Sequence, residues 1–198
     1  MSAQPSDAER REFWRQRRAR HPRFREAVLA DASFTAAHRG ERAEFRGALD
    51  GWLQVLRLAW EADGFLAQVL YRAKARLQAL RVPVLPRLAH RLAIIIGQVA
   101  IGDPVVIEPG VCIAHGQVVI DGLTEIATGA FIAPFVSIGL RAGDFVGPTI
   151  ERGVTVGTGA RVLGSFRVGA GARIGAGAVV ISEVPAGATV VGAPARPL

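Results

Sequence analysis

An aliphatic residue returns every six positions between Ile101 and Val180, and this period is the feature that most limits how the chain folds. A six-residue period matches neither an amphipathic helix nor an ordinary alternating strand. It is typical of short strands joined by tight turns, with one side chain per turn directed into a common interior, which predicts a hexapeptide parallel β-helix. The repeated positions are Ile101, Ile107, Ile113, Ile120, Ile126, Ile132, Ile138, Ile150, Val156, Val162, Val168, Ile174 and Val180.

The period is broken at two places. One extra residue stands between Ile113 and Ile120, beside His115, and the stretch 140–149 replaces one aliphatic position before Ile150. Because this polar, glycine-rich stretch keeps the phase on both sides, we expect a loop extruded from a regular coil. Loops held on a rigid scaffold concentrate function, so chemistry is expected at these two breaks.

The residues before the β-helix have helical patterns. We expect helices near 7–20, 23–37, 41–61, 65–80 and 87–94, and therefore an α-helical N-terminal domain (1–92) followed by a left-handed β-helix (93–198). The aromatic and aliphatic stripe of the third helix is expected in the core or at a subunit contact. The helices would cap the open end of the solenoid. Its flat faces favour a closed cyclic oligomer, with a homotrimer as the expectation.

The net charge of +7 comes from the helical part, because residues 1–92 hold 18 Lys and Arg against 10 Asp and Glu. An Arg-rich first helix with Phe13 and Trp14 could contact nucleic acid, but a solvated helix with both rings packed inward is favoured, since no nucleic-acid motif accompanies it. One cysteine and no secretory pattern indicate a cytoplasmic protein without disulfides. The longest apolar run is too short to span a bilayer, so no membrane partner is expected.

His115 is the one histidine of the β-helix, and it stands at the first break. An imidazole titrates near neutrality and can take a proton from a hydroxyl. A polar turn residue is the simpler alternative, but the inserted residue and Gly116 beside it favour a catalytic base. A single histidine cannot supply a converging metal site, so no metal is expected. Cys112 has no neighbouring base and is interpreted as a packing residue.

The last coils have turns of small residues, at 156–164 and 168–180. Such turns allow a ligand to lie against backbone amides. Arg161, Arg167 and Arg173 recur every six residues, which we interpret as a stacked basic edge suited to phosphates.

Three stretches resemble the serine acetyltransferase group of hexapeptide O-acetyltransferases, and the resemblance covers about 65–198. They are Ile-Ala-His-Gly with Val-Val-Ile (113–120), Gly-Ala-Arg-Val-Leu-Gly (159–164), and the run 171–180 that closes with Gly-Ala-Pro-Ala-Arg (192–196). The resemblance implies acetyl-CoA as donor, bound between adjacent solenoids of a trimer. His115 matches the catalytic base of the family. Thr158 and Ala176 match backbone contacts to the CoA arm, Arg173 matches a contact to its phosphate end, and Gly139 matches the glycine before the extruded loop.

The chain departs from the family pattern at three positions of the acceptor site. Ala114 and Ala100 stand where the family has aspartates, and Gly147 stands where it has a second histidine. Asp121, Asp103 and Glu125 are candidates to replace the carboxylate that orients the catalytic base.

Arg141 and Asp144 in the extruded loop, together with Asp121, are our candidates for acceptor contacts, with solvated loop charges as the alternative. L-serine, and hence cysteine biosynthesis, is the first candidate for the acceptor. A saccharide precursor and a non-catalytic scaffold are the alternatives. A dimer of trimers is left open, and we expect no counterpart of the family's tail that docks cysteine synthase.

Overall fold

The computed structural model describes residues 6–142 and 144–197, and its first half is helical. The helices are α1 (Asp7–Ala19), α2 (Phe24–His38), α3 (Ala48–Glu61), α4 (Asp63–Ala79) and α5 (Leu85–Gly97).

Two helices differ from the sequence prediction in length. Helix α3 begins at Ala48 rather than near residue 41, because the Asp50 carboxylate holds the preceding turn by accepting from Arg46 N–H at 2.8 Å and from Arg42 at 2.8 Å. Helix α5 continues past residue 92 to Gly97. The division into units at 92 and 93 stays a prediction.

The second half is a parallel β-helix of about five turns, as the six-residue period predicts. From β1 to β13 every third strand joins the same sheet, so the chain winds around three flat faces. The strands are β1 (Val99–Ile101), β2 (Val106–Ile107), β3 (Cys112–Ile113), β4 (Val118–Ile120), β5 (Glu125–Ile126), β6 (Phe131–Ile132), β7 (Ser137–Gly139), β8 (Thr149–Ile150), β9 (Thr155–Val156), β10 (Arg161–Leu163), β11 (Arg167–Val168), β12 (Arg173–Ile174), β13 (Val179–Val180), β14 (Thr189–Val191) and β15 (Arg196–Pro197). The first face has the order β1-β4-β7-β10-β13 and the second has the order β2-β5-β8-β11. The third face has the order β3-β6-β9-β12-β14-β15.

The repeated aliphatic residues form the interior of this coil. Every member of the column from Ile101 to Val180 is at most 2% exposed. The small or β-branched residues two places earlier are also buried, including Val118, Ala130 and Thr124 at 0%. Burial of one aliphatic side chain from each face in every turn supplies most of the hydrophobic stabilisation of the solenoid.

The expected stack of arginines is wrong. Arg161, Arg167 and Arg173 lie on β10, β11 and β12, which belong to three different faces. A step of six residues moves the chain to the next face, and only three such steps return it to the same face. Arg161 is therefore in register with Ser137 and not with another arginine.

Helix α4 caps the open end of the β-helix by satisfying the backbone of its first turn. Gln68 donates to Val111 O at 2.7 Å and accepts from Ile113 N–H at 3.3 Å. Tyr71 donates to Val105 O at 2.9 Å, and Lys74 donates to Ile101 O at 2.6 Å. These backbone groups have no previous coil to pair with, so the helix replaces it.

A buried ion pair completes the cap. The Asp31 carboxylate accepts from Arg72 Nε at 2.9 Å and from the backbone N–H groups of Gly110 and Val111, and Arg72 also donates to Glu108 O at 2.8 Å. Burial raises the pKa of Asp31, and the neighbouring Arg72 opposes this rise. The expectation that the helices close the solenoid is confirmed by these contacts.

Helix α1 meets the β-helix through an arginine rather than through its aromatic residues. Arg17 is 7% exposed and donates to Glu125 at 2.6 Å and to Thr124 O at 3.0 Å. Phe13 is 41% exposed, with its ring edge-on to Trp14. The expectation that both rings pack inward is therefore wrong for Phe13, whereas Trp14 is half-buried.

The apolar stripe of α3 is also largely uncovered. Leu53, Leu56 and Trp60 are 56%, 66% and 92% exposed, whereas Trp52 packs partly against the helical core. The expectation that this stripe lies in the core is therefore wrong for Leu53, Leu56 and Trp60. The alternative, that these residues form a contact between subunits, stays a prediction. Among the described residues, no helix has the length and apolar character needed to cross a membrane.

Candidate active site

His115 lies in the turn from the third face to the first face, between β3 and β4, and its side chain is exposed. The inserted residue is accommodated by a left-handed backbone at Gln117, with φ of +60°. A side chain at Gly116 would meet Gly97 O at 2.5 Å, so only glycine allows this turn to approach the end of α5. The first break of the period therefore presents His115 to solvent on a turn held by the helical domain.

Later turns of the coil stack on the His115 turn along one edge of the β-helix, which we name the His115 edge. Gly159 N–H donates to Pro134 O at 3.0 Å, and Gly177 N–H donates to Thr158 O at 2.8 Å. These bonds place the turns after β6, β9 and β12 one above another. Because β3 lies beside β6 on the third face, the turn of His115 comes next in this series, so His115, Thr158 and Ala176 lie along one edge.

The backbone of this edge is open towards its C-terminal end. A Cβ added to Gly177 would meet nothing within 4 Å, and one added to Gly159 would meet nothing closer than 3.9 Å. Both glycines have positive φ, +69° and +72°. An extended ligand can therefore lie directly against these turns.

Phe135 is a residue of this edge that the sequence reasoning missed. It occupies the register of Gly159 and Gly177, has φ of +64°, and is 53% exposed. A bulky residue in the left-handed region is uncommon. The signal was present in the repeat, because the equivalent position of the two following turns is glycine.

The extruded loop lies on a different edge, between the first and second faces, which we name the loop edge. Gly139 ends β7, and Arg141 and Asp144 follow it in the connection to β8. Asp121 lies on the same edge one coil earlier, after β4. Strands β4 and β7 of the first face separate the two edges, so one chain does not bring the acceptor candidates to His115.

The loop is packed onto the coil below it. Leu123 N–H donates to Phe145 O at 3.3 Å, and a Cβ at Gly147 would lie 2.0 Å from Thr124 Oγ1. Asp144 accepts from Val146 N–H at 3.3 Å. The glycine that replaces the second histidine of the family pattern is therefore required by close packing at this position.

None of the three carboxylates expected to orient His115 contacts it within the described part of the chain. Asp103 pairs with Lys74 at 3.0 Å, and Glu125 pairs with Arg17 at 2.6 Å. The Asp121 carboxylate accepts from Gly122 N–H at 2.7 Å. All three lie on the loop edge or the second face, whereas His115 lies beyond the first face.

Two further expectations concern single residues. Arg173 is exposed at the start of β12, on the third face, with Thr155 and Thr189 in register on either side. Cys112 is 2% exposed, and burial raises the pKa of its thiol to about 11, which agrees with a packing residue rather than a nucleophile. Among the described residues, no three His, Cys, Asp or Glu side chains cluster in a way that could hold a metal ion.

The described part of the chain combines five helices with a three-faced coil of hexapeptide repeats, and it has an exposed histidine on one edge and an extruded loop on another. These features define a hexapeptide-repeat β-helix protein. No protein-family model matches the chain. The chain is 39% identical to serine acetyltransferase of Helicobacter pylori strain J99 over 148 residues, which cover 71% of this chain and 86% of that protein. It therefore belongs to the serine acetyltransferase family.

Other similarities agree with this assignment. The chain is 39% identical to serine acetyltransferase of Synechococcus elongatus over 67% of its own length, but it spans only 56% of the length of that relative. The structure of soybean serine acetyltransferase with serine superposes with a TM-score of 0.74 at 28% identity, covering 91% of this chain and 71% of that chain. A serine acetyltransferase structure in complex with CoA has a TM-score of 0.69 at 26% identity, covering 86% and 68%.

Proposed function

We propose that the protein is an acetyl-CoA-dependent O-acetyltransferase with L-serine as first acceptor, and that His115 is its general base. The observation that carries the proposal is the His115 edge, where an exposed histidine stands in line with the open glycine turns at Gly159 and Gly177. A donor arm that follows these turns, with Thr158 and Ala176 beside it and Arg173 near its phosphate end, directs its thioester towards His115.

We propose a homotrimer, because one chain holds the two halves of the site on separate edges. Apolar side chains are exposed at the helical end of the face between these edges. Val119 on β4 is 49% exposed, and α5, which leads into β1 of the same face, exposes Leu88 and Ile95 at 48% and 73%. Further along this face, Arg161 on β10 is charged and exposed. A second copy on this face covers aliphatic surface that is costly to leave in water. Such packing places the neighbour's loop edge, with Arg141 and Asp144, against the His115 edge.

The chemistry is a direct transfer. His115 takes the proton of the acceptor hydroxyl while its oxygen attacks the thioester carbonyl carbon. The new ester C–O bond forms, the C–S bond breaks, and the departing CoA thiolate receives the proton from the imidazolium. Backbone amides of the neighbouring coil would stabilise the oxyanion. The reaction needs no covalent enzyme intermediate and no metal.

The test is release of free CoA thiol by the purified protein, with L-serine as acceptor and His115→Ala as the variant. We expect turnover that the variant lowers at least 100-fold, because general-base catalysis contributes roughly 10²–10⁴-fold. His38→Ala, an exposed histidine at the end of α2, is a matched control that should keep the rate. Equal turnover by His115→Ala would contradict the assigned role.

A saccharide precursor is the second candidate for the acceptor. It is favoured by Ala114 and Gly147, which replace polar residues of the family pattern, and by the aromatic ring of Phe135 on the His115 edge. Turnover with sugars or nucleotide sugars but not with serine would establish it. CoA binding without turnover on any acceptor would indicate the non-catalytic scaffold instead. The single cysteine favours a cytoplasmic location for each of these functions.

A further inference from the structure

Two adjoining cavities lie where α1, the end of α4, the start of α5 and the first turn of the β-helix meet. The larger has a volume of about 720 Å³ and the smaller about 410 Å³. They share Gln78, Val82, Pro86 and Asp103 in their walls, so they form one continuous cleft. The size of the larger cavity is in the range of small-molecule sites.

Basic side chains line this cleft from four elements. Arg87 and Arg91 on α5 line the larger cavity, and Arg18 on α1 and Arg81 after α4 line the smaller. Lys74 and His90 also face the larger cavity. An arrangement that gathers guanidinium groups from separate elements raises the positive potential inside the cleft.

The positive charge has little compensation within the chain. Asp103 is the one acidic side chain among the described residues that line either cavity, and it is already paired with Lys74 at 3.0 Å. In the part of the chain that the structure describes, Arg18, Arg81, Arg87 and Arg91 make no ion pair or side-chain hydrogen bond. Elsewhere in the same chain, arginines such as Arg17 and Arg72 are bonded to carboxylates.

The segment between α4 and α5, which lines both cavities, has a strained but well-held backbone. Arg81 has φ of +56° and Val84 has φ of +65°, a region that a β-branched residue rarely adopts. Val82 N–H donates to Leu77 O at 3.0 Å, which fixes the turn. Strain of this kind concentrates at ligand sites, because the fold holds the segment in a shape that serves binding.

We propose that this cleft binds a phosphorylated small molecule, at a site separate from the donor position on the His115 edge. Guanidinium groups pair with phosphate oxygens in a bidentate manner. Arg81 after α4, and Arg87 and Arg91 on α5, are exposed and offer three of them along the cleft. Trp14, Val82 and Pro86 form the apolar side of the cleft, against which the rest of such a molecule packs.

The test is titration calorimetry of the whole protein with inorganic pyrophosphate at low ionic strength, with and without saturating CoA. We expect saturable binding that CoA leaves unchanged and that weakens as salt screens the charges. The double variant Arg87→Glu/Arg91→Glu should lower the affinity at least 10-fold. The double variant Arg23→Glu/Arg25→Glu makes the same change of charge on exposed residues outside the cleft and should bind as the parent does.

Three outcomes would overturn the proposal. One is the lack of saturable binding, and another is equal weakening by both double variants, which would indicate a general charge effect. The third is competition by CoA, which would place the pyrophosphate in the donor site. Arg87→Gln/Arg91→Gln, which keeps the size and polarity of the side chains, serves if the glutamate variant does not fold. Binding should persist in His115→Ala, so a failure of the proposed acetyltransferase activity leaves this test intact.

Discussion

Phe135 stands between the coil of His115 and the open glycine turns, in a conformation that glycine adopts more easily. Left-handed backbone costs an ordinary residue roughly 1–2 kcal/mol. Because the ring lies at the end of the open edge nearest His115, we infer that it borders the acyl group of the donor.

We predict that Phe135→Gly changes the choice of donor with little effect on folding. The relief of strain and the added flexibility of glycine oppose each other, so the free energy of unfolding should change by less than about 1 kcal/mol. One methylene in an apolar pocket is worth roughly 10–200-fold in discrimination. The ratio of kcat/KM for propionyl-CoA over acetyl-CoA should therefore rise about 10-fold. Phe13→Gly, at an exposed position of α1, should leave the ratio unchanged, and an unchanged ratio in Phe135→Gly would refute the inference.

His21 is a partly buried histidine among positive charges. Burial, together with Arg72, Lys74 and Arg17, lowers its pKa to about 4, and Asp103 opposes the shift weakly. Its Nδ1 lies 3.5 Å from Tyr71 Oη, next to the cap of the β-helix.

This pKa predicts a loss of stability in mild acid. Between about pH 6.5 and pH 4 the unfolded histidine binds a proton that the folded one does not, so the free energy of unfolding falls as the pH falls. At about 1.4 kcal/mol per pKa unit, the loss is about 3 kcal/mol at most, less any screening by solvent. Urea unfolding at a series of pH values measures it. His21→Gln should reduce the slope but not abolish it, because burial also lowers the pKa of His90. An unchanged slope would show that His21 is not responsible.

At the scale of elements, α4 acts as the coil that would precede the first turn of the β-helix. Its polar side chains recur along one face and pair with backbone groups of that turn, as Gln68 does with Val111 and Ile113. An uncovered coil end would leave these groups unpaired and open to association with other edges.

We predict that Gln68→Leu destabilises the protein by about 2–5 kcal/mol. The side chain is fully buried, and its loss leaves one carbonyl and one N–H unpaired, at roughly 1–3 kcal/mol each. Chemical unfolding measures the change. Gln16→Leu, on the exposed face of α1, should stay within about 0.5 kcal/mol of the parent. A loss below about 1 kcal/mol for Gln68→Leu would mean that water or a rearranged helix replaces the cap.

At the scale of the whole molecule, the uncovered apolar surfaces indicate where copies meet. The exposed aliphatic face of α5 adjoins the face between the two edges, whereas the exposed stripe of α3 lies on the helical domain. We assign the exposed face of α5 to the contact within the proposed trimer. The exposed stripe of α3 is then available for contacts in a larger assembly.

We predict that Ile95→Glu separates the trimer and lowers acetyl transfer at least 100-fold, because a charge at this contact must be desolvated and each edge then lacks its partner. Leu53→Glu, on α3, should keep the trimer and its activity. Sedimentation velocity and thiol release measure both properties. Full activity from Ile95→Glu monomers would show that one chain holds a complete site.

The sequence by itself determined the coil, its interior and the positions of the two breaks in the period. Burial in a solenoid follows the local period of the chain, so Ile101 to Val180 could be assigned to the interior without knowing any distant contact. The family resemblance rests on the same repeated stretches, and the alignments confirm it. The position of His115 beside one inserted residue follows from the spacing of seven between the repeated positions Ile113 and Ile120.

Only the tertiary structure decided which repeats share a face and which polar groups pair. The arginines at 161, 167 and 173 look stacked in the sequence but point in three directions, because the coil turns at every step of six. The sequence gives no sign that three helical residues differ from their neighbours. The structure shows that each donates to a backbone carbonyl in the first turns of the β-helix: Arg17, Gln68 and Lys74. Their partners depend on how the helices dock against the coil end, and this long-range geometry leaves no local period in the chain.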